Sequence, residues 1–223
     1  MSARTDDRPL RRDAQENRQR LLDAAAAVFA ERGLEAGVEE IARVAGVGIG
    51  TLYRRFPTKD ALVCALVHEV MSTILRLARE STECPGGTGL ENFLKAASAY
   101  QAAHIGVLPR LWKVGSEHDS VDEIRRLVDA LLADAKENGR VRADLTSTDL
   151  TIIMWSIRGV IETTRDLAPG AWRRHLDILI AGLRPAAEPL IHHPLSQQEV
   201  DKVIAETANG PVVGPGDQGG AGL

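Results

Sequence analysis

Apolar residues recur at helical spacing along most of the chain, and glycine, proline and Asn-Gly breaks separate the runs. Leu21, Ala25, Val28 and Phe29 form the first stripe, with Asp13 and Glu16 placed before it as a capping box and Gly33 after it as a stop. Val38, Ile41, Ala42 and Ala45 make a second stripe at i, i+3, i+4 and i+7. Glu39 and Glu40 sit where the helix dipole favours acids. Gly46 ends this helix because glycine takes a positive φ at little cost, and Gly48 restarts the chain as the cap of a third. There Ile49, Leu52, Tyr53 and Phe56 fall on one side, which the pattern directs towards the second helix, while Gly50, Thr51, Arg54 and Arg55 point outward. Two short amphipathic helices joined by so few residues predict a helix-turn-helix.

Thr58 caps a long helix to about Glu83, with Leu62, Leu66, Val70, Ile74 and Leu77 on its apolar side. The run beginning at Cys84-Pro-Gly-Gly is a break, and Phe93, Leu94, Ala97, Tyr100 and His104 define the next helix. Residues 106–119, interrupted by Pro109, hold Leu108, Leu111 and Trp112 in at most one short helix. Ser120 and Glu123 form a capping box ahead of Ile124, Leu127, Val128, Leu131 and Ala135, which end at Asn138-Gly139. The last two strong helices run from about Ser147 to Leu167 and from Ala171 to Leu183, and the short loop at Pro169-Gly170 makes them antiparallel neighbours. Beyond Arg184 the prolines and glycines predict a mostly disordered tail, with one weak helix near Gln197 to Ala208. The fold class is all-α.

The 44% of apolar residues in 223 excludes general disorder, and the scarcity of aromatics suits helices. A net charge of -4 is unlike a protein that coats nucleic acid with its whole surface. Residues 1–60, however, carry 11 Lys and Arg against 10 Asp and Glu, and the remainder carries 16 against 21. Only the N-terminal part is a candidate for meeting phosphate. Cys64 and Cys84 are too few for a disulfide framework and lie in no metal-binding spacing, so a reduced cytoplasmic location is expected. His192 and His193 sit among prolines with no rigid support for a metal. The chain has no HExxH, GxSxG, phosphate-binding loop or dinucleotide fingerprint, so neither catalysis nor a cofactor is expected. No membrane span or signal peptide is expected either.

The outward face of the third helix suits nucleic acid. Gly50 lets a backbone approach, Thr51 can touch a base edge or a thymine methyl, and Arg54 and Arg55 can fork onto guanine or phosphate. Tyr53 can extend its hydroxyl to a phosphate. Arginines on a helix are also ordinary solvated residues. Lys59 weighs against that reading, since a cation in the first turn opposes the dipole and a bound phosphate would remove the conflict. Between Arg43 and Lys59 there is no acidic residue. The arginines of residues 4–12 can enter a minor groove or belong to a disordered arm.

An amphipathic helix followed by IARVAGVGIGTLYRRFPTKDAL resembles the TetR family of bacterial transcriptional regulators, by motif over about residues 15 to 65 and by helix pattern beyond. The resemblance implies an all-helical homodimer with an N-terminal three-helix DNA-binding domain and a larger C-terminal domain for ligand binding and dimerisation. The corresponding division is a disordered arm at residues 1–13, a DNA-binding domain at 14–58, a regulatory and dimerisation domain at 59–184 and a tail at 185–223. It implies that Gly48, Ile49, Gly50, Thr51, Tyr53, Arg54, Arg55 and Lys59 contact a palindromic operator, and that a small molecule releases it. Two departures are Ala36 and Gly37, where many relatives carry a phosphate-reaching threonine, and Gly48, where many carry a serine cap.

Ile153, Ile157, Val160, Ile161, Leu176, Leu179, Ile180 and Leu183 exceed the apolar face one chain is expected to bury. Pairing with the same helices of a second copy gives a four-helix interface about a two-fold axis, which Gly159 and Gly182 allow to close tightly; packing within the chain accounts for part of the same residues. Tyr100, His104, Trp112, Met154, Trp155 and Arg158 are of the types that line an apolar pocket with a few orienting groups. The same types also pack in cores, and Arg158 stands at the right spacing to pair with Glu162. The alternative to a regulator is a helical carrier or enzyme whose N-terminal motif is only structural.

Overall fold

The computed structural model describes residues 8–104, 120–186 and 188–209. These form nine helices: α1 (Arg8–Arg32), α2 (Val38–Ala45), α3 (Ile49–Arg55), α4 (Lys59–Thr82), α5 (Gly89–Ala103), α6 (Ser120–Glu137), α7 (Ser147–Thr164), α8 (Ala171–Gly182) and α9 (Gln197–Asn209). The segment holding Leu108, Leu111 and Trp112 lies outside the described residues. The first helix starts at Arg8, so Asp13 is inside it and not its cap. Pro9 falls in the first turn, where its missing N–H would have no partner in any case, and good helix formers follow.

Two hydrophobic cores are strung on α4. Leu21, Phe29, Ile41, Leu52 and Leu62 are fully buried in the first, which joins α1 to α4. Leu94, Leu131, Ile157 and Leu176 are buried in the second, which joins the end of α4 to α5, α6, α7 and α8. Each such side chain contributes roughly 1.5–3 kcal/mol by leaving water. An 18-residue stretch of α4 with mean hydropathy 1.6 passes the length and composition test for crossing a membrane, as the core helix of a soluble protein also can. Leu62, Leu66, Val67 and Val70 are instead buried against the first core. Thr58 caps α4 as expected, its hydroxyl accepting from the amide of Ala61 at 3.0 Å.

Side-chain pairs across the body depart from the local pattern. Glu123 turns across to α4, where its Oε1 accepts from Arg79 at 2.6 Å. α7 opens with a capping box that the sequence reading missed, Thr146 with Asp149. The segment after α8, expected to be mostly disordered, is fastened as far as the described residues go. Arg142 binds Asp144 at 2.6 Å and the carbonyl of Glu188 at 2.8 Å, and the amide of Leu190 donates to Asp144 at 2.9 Å. The expected weak helix forms as α9, capped reciprocally by Ser196 and Glu199, with Val200 buried and Asp201 paired to Arg125 of α6 at 2.5 Å. These partners stand 46 and 76 residues apart, beyond the reach of local pattern.

Candidate nucleic-acid interface

The turn between α2 and α3 is set by Gly46, whose φ of 67° and ψ of 32° are left-handed. Its amide reaches the carbonyl of Arg43 at 3.2 Å, and that of Val47 reaches Ala42 at 3.0 Å, so the last carbonyls of α2 are satisfied by a Schellman turn. Gly48 then caps α3 with extended backbone, its carbonyl accepting from Thr51 at 2.8 Å. No side chain caps α2 or α3. At α3 that agrees with the departure from the family pattern at Gly48, where many relatives carry a serine cap.

α3 is seven residues long and buries a single row, Leu52 with Phe56 just after it. Ile49 and Tyr53, expected on the inward side, are 40% and 45% exposed. In so short a helix packing against α2 covers only one row, and the neighbouring 49–53 row stays on the rim. Ile49 and Tyr53 therefore share the outer surface with Gly48, Gly50, Arg54 and Arg55, beside the partly exposed Thr51 and Lys59. A Cβ added at Gly50 would meet nothing within 4 Å, so the glycine leaves open space on this face. All eight predicted positions lie on one stretch from the cap of α3 to the first turn of α4.

Among the described residues Arg54 and Lys59 have no acidic partner, whereas Arg43 is bound to Glu40 at 3.3 Å, and Glu40 is also held by Arg32 at 2.6 Å. The expectation of unpartnered cations therefore fails at Arg43, whose carboxylate partner lies three residues back on α2. Cations that are not neutralised locally attract an anion.

The ligand candidates do not converge. Tyr100 packs against the first core, Met154 against the second, and Arg158 is tied to Glu162 at 2.7 Å. His104 donates from Nδ1 to the carbonyl of Tyr100 at 2.9 Å and stacks on its ring, so its polar contact is local. Trp155 is partly buried, and Trp112 lies outside the described residues. A shallow open groove runs along Leu90, Leu94, Val141 and Ile180, and none of the five described candidates lines it. Among the described residues no group of three or more His, Cys, Asp or Glu is arranged to hold a metal.

The dimer candidates divide likewise. Ile157, Ile161, Leu176 and Leu183 are buried in their own chain and lie on no open surface, because the second core needs them. Ile153, Val160, Leu179 and Ile180 are partly buried against the same core. The exposed aliphatics of the pair are Ile152 and Ile178, at 39% and 56%, which the periodicity did not single out. Gly159 and Gly182 are exposed, and added Cβ atoms there would meet nothing within 4 Å.

Fold and surface define an all-helical helix-turn-helix protein with a separate helical body. Residues 21–66 match the model of bacterial regulatory proteins of the tetR family, and residues 85–185 match the SbtR-like transcriptional regulator C-terminal domain. A TetR transcription regulatory protein from Mycobacterium vanbaalenii is similar over 79% of this chain and 99% of its own, at 33% identity and TM-score 0.58. The TetR transcriptional regulator SCO0520 from Streptomyces coelicolor is similar over 76% and 99%, at 34% identity and TM-score 0.56. The HTH-type transcriptional regulator SAB2452 of Staphylococcus aureus is 39% identical over 67 residues, 30% of this chain and 36% of that one. The chain thus spans about a third of the length of such curated relatives. It belongs to the TetR family of transcriptional regulators.

Proposed function

We propose that the protein is a cytoplasmic, non-catalytic repressor that grips a palindromic operator as a homodimer and lets go when a small molecule enters the body. The observation that carries the reading is the outer surface of α3 and early α4, where glycines, Thr51, Ile49 and Tyr53 lie beside Arg54, Arg55 and Lys59. In this reading the glycines and Thr51 approach base edges, and the cations and the Tyr53 hydroxyl hold phosphates. Two copies related by a two-fold axis place their α3 helices in successive major grooves. We assign the pairing surface to the outer face of α7 and α8, with Ile152 and Ile178 apposed across Gly159 and Gly182.

The test is selection from a random duplex library by the purified chain at moderate salt. An enriched palindrome with half-sites about one helical turn apart supports the proposal. A folded dimer that enriches nothing in the presence or absence of cell-extracted small molecules sinks it. Release must be reciprocal, so an effector binds the operator-bound dimer more weakly than the free dimer, and equal affinity for both excludes a compound as effector.

A further inference from the structure

Among the described hydrophobic residues beyond the end of α4, Tyr100 of α5 is the one that packs against the first core. It is partly buried and shares a side-chain hydrogen bond with Thr73 of α4. Burial pushes its hydroxyl above the usual range against that bond, and the charges of Glu69 on α4 and Asp23 on α1 act in the same direction as burial. Its ring is held from the other side by His104, with centroids 4.1 Å apart, and His104 is pinned to the Tyr100 carbonyl. Two residues earlier, Ser98 is completely buried and faces Met154 of α7, its hydroxyl 3.9 Å from the sulfur. One turn of α5 therefore touches α7 in the second core on one side and α4 in the first core on the other.

We infer that Tyr100 is the positioning residue that fixes the angle of the helix-turn-helix unit on the body, and through that angle the half-site spacing the dimer accepts. The spacing part rests on the operator reading above. Among the described residues the first core otherwise meets the body through α4, whose Ile74 packs against both cores. Close-packed contacts have discrete arrangements and transmit shifts, and Tyr100 adds one from α5 to those that α4 makes itself.

The variants are Tyr100→Leu, the milder Tyr100→Phe and Thr73→Val, and Phe93→Leu as a control that loosens the second core without touching the first. Hydrogen exchange of the DNA-free protein comes first. Tyr100→Leu should speed exchange in α1 and α2 by about tenfold or more while Phe93→Leu leaves them unchanged. The second measurement uses the selected operator with one base pair added or removed between half-sites. The wild type should lose about tenfold or more in affinity, Tyr100→Leu less than about threefold, and Phe93→Leu as much as the wild type. Should Tyr100→Leu fail to fold, Tyr100→Phe and Thr73→Val must show smaller changes in the same direction. Unchanged α1 and α2 exchange together with an intact spacing penalty overturns the inference. If the wild type enriches no operator, the repressor reading fails, and exchange alone decides whether Tyr100 is the brace.

Discussion

The two surfaces that face outward from this molecule are opposites. α3 buries Leu52 and exposes cations, glycines and the rim residues Ile49 and Tyr53. The α7 and α8 pair buries Ile157, Ile161, Leu176 and Leu183 and exposes Ile152, Ile178 and two glycines with open space above them. Exposed positive charge attracts an anion, and apolar surface without a cover attracts another apolar surface. In each region the residues that satisfy the fold are separate from those left over for a partner, and the remainder is what distinguishes a reading face from a pairing face.

The largest effect is expected where this contrast is reversed. Ile178→Arg places a cation on the apolar face, twice over in a symmetric dimer, and should weaken self-association by about a hundredfold or more in sedimentation experiments. Unchanged association would remove α8 from the pairing surface. Gly46→Val forces a β-branched residue into left-handed backbone and should cost about 1–2 kcal/mol in denaturant unfolding. A neutral result would mean that the α2–α3 turn has another geometry in solution.

On the reading face the effects are smaller and differ in kind. Arg55→Ala and Lys59→Ala should weaken binding to every duplex alike and each flatten the salt dependence by about one unit. A changed base preference would move either residue from phosphate to base contact. Thr51→Ala should relax preference at one position per half-site, at about 1–3 kcal/mol of discrimination, and an unaltered selected sequence would remove Thr51 from base reading.

The smallest effect is expected at Asp144. The Arg142 guanidinium, and after it the amide of Leu190, hold this carboxyl well below the usual carboxylate range. A lowered folded-state value means that the stabilisation is fully present above the ordinary Asp value of about 3.9, declines below it and is lost as the pH falls through the lowered folded value. The Leu190 amide should therefore exchange slowly and at a constant level of protection between about pH 5 and 7. Asp144→Asn should raise that exchange without altering the helices, and protection surviving the substitution would show that Asp144 is not the holder.

What was legible in the sequence was local. Gly46 and Thr58 announce a turn and a cap because their effects fall within four residues, and both occur as read. The eight positions proposed to meet DNA are contiguous enough for the motif to group them, although it does not give their burial. Ile49 and Tyr53 satisfy the same periodicity as Leu52, and only the short span of α3 decides that they stay outside. The Thr146 and Asp149 box and the Arg43 pair with Glu40 were equally local and were overlooked. In the body the periodicity marks every apolar residue of α7 and α8 alike, so it does not separate Ile157, which serves its own core, from Ile152, which is left over. Tyr100 looked like a pocket residue by type, and its place against the first core depends on α4 and α1 arriving from elsewhere.

The position of the two cores along the chain also orders how the molecule is made. The buried members of the first core end at Val70, and the pairing helices finish at Gly182. At a synthesis rate of about 5–20 residues per second, on the order of ten seconds separates the two. Every buried residue of the first core is thus synthesised before Tyr100 and well before the helices proposed for pairing. On the proposed pairing through α8, a two-fold grip on DNA begins only when translation of α8 is complete and two finished chains meet.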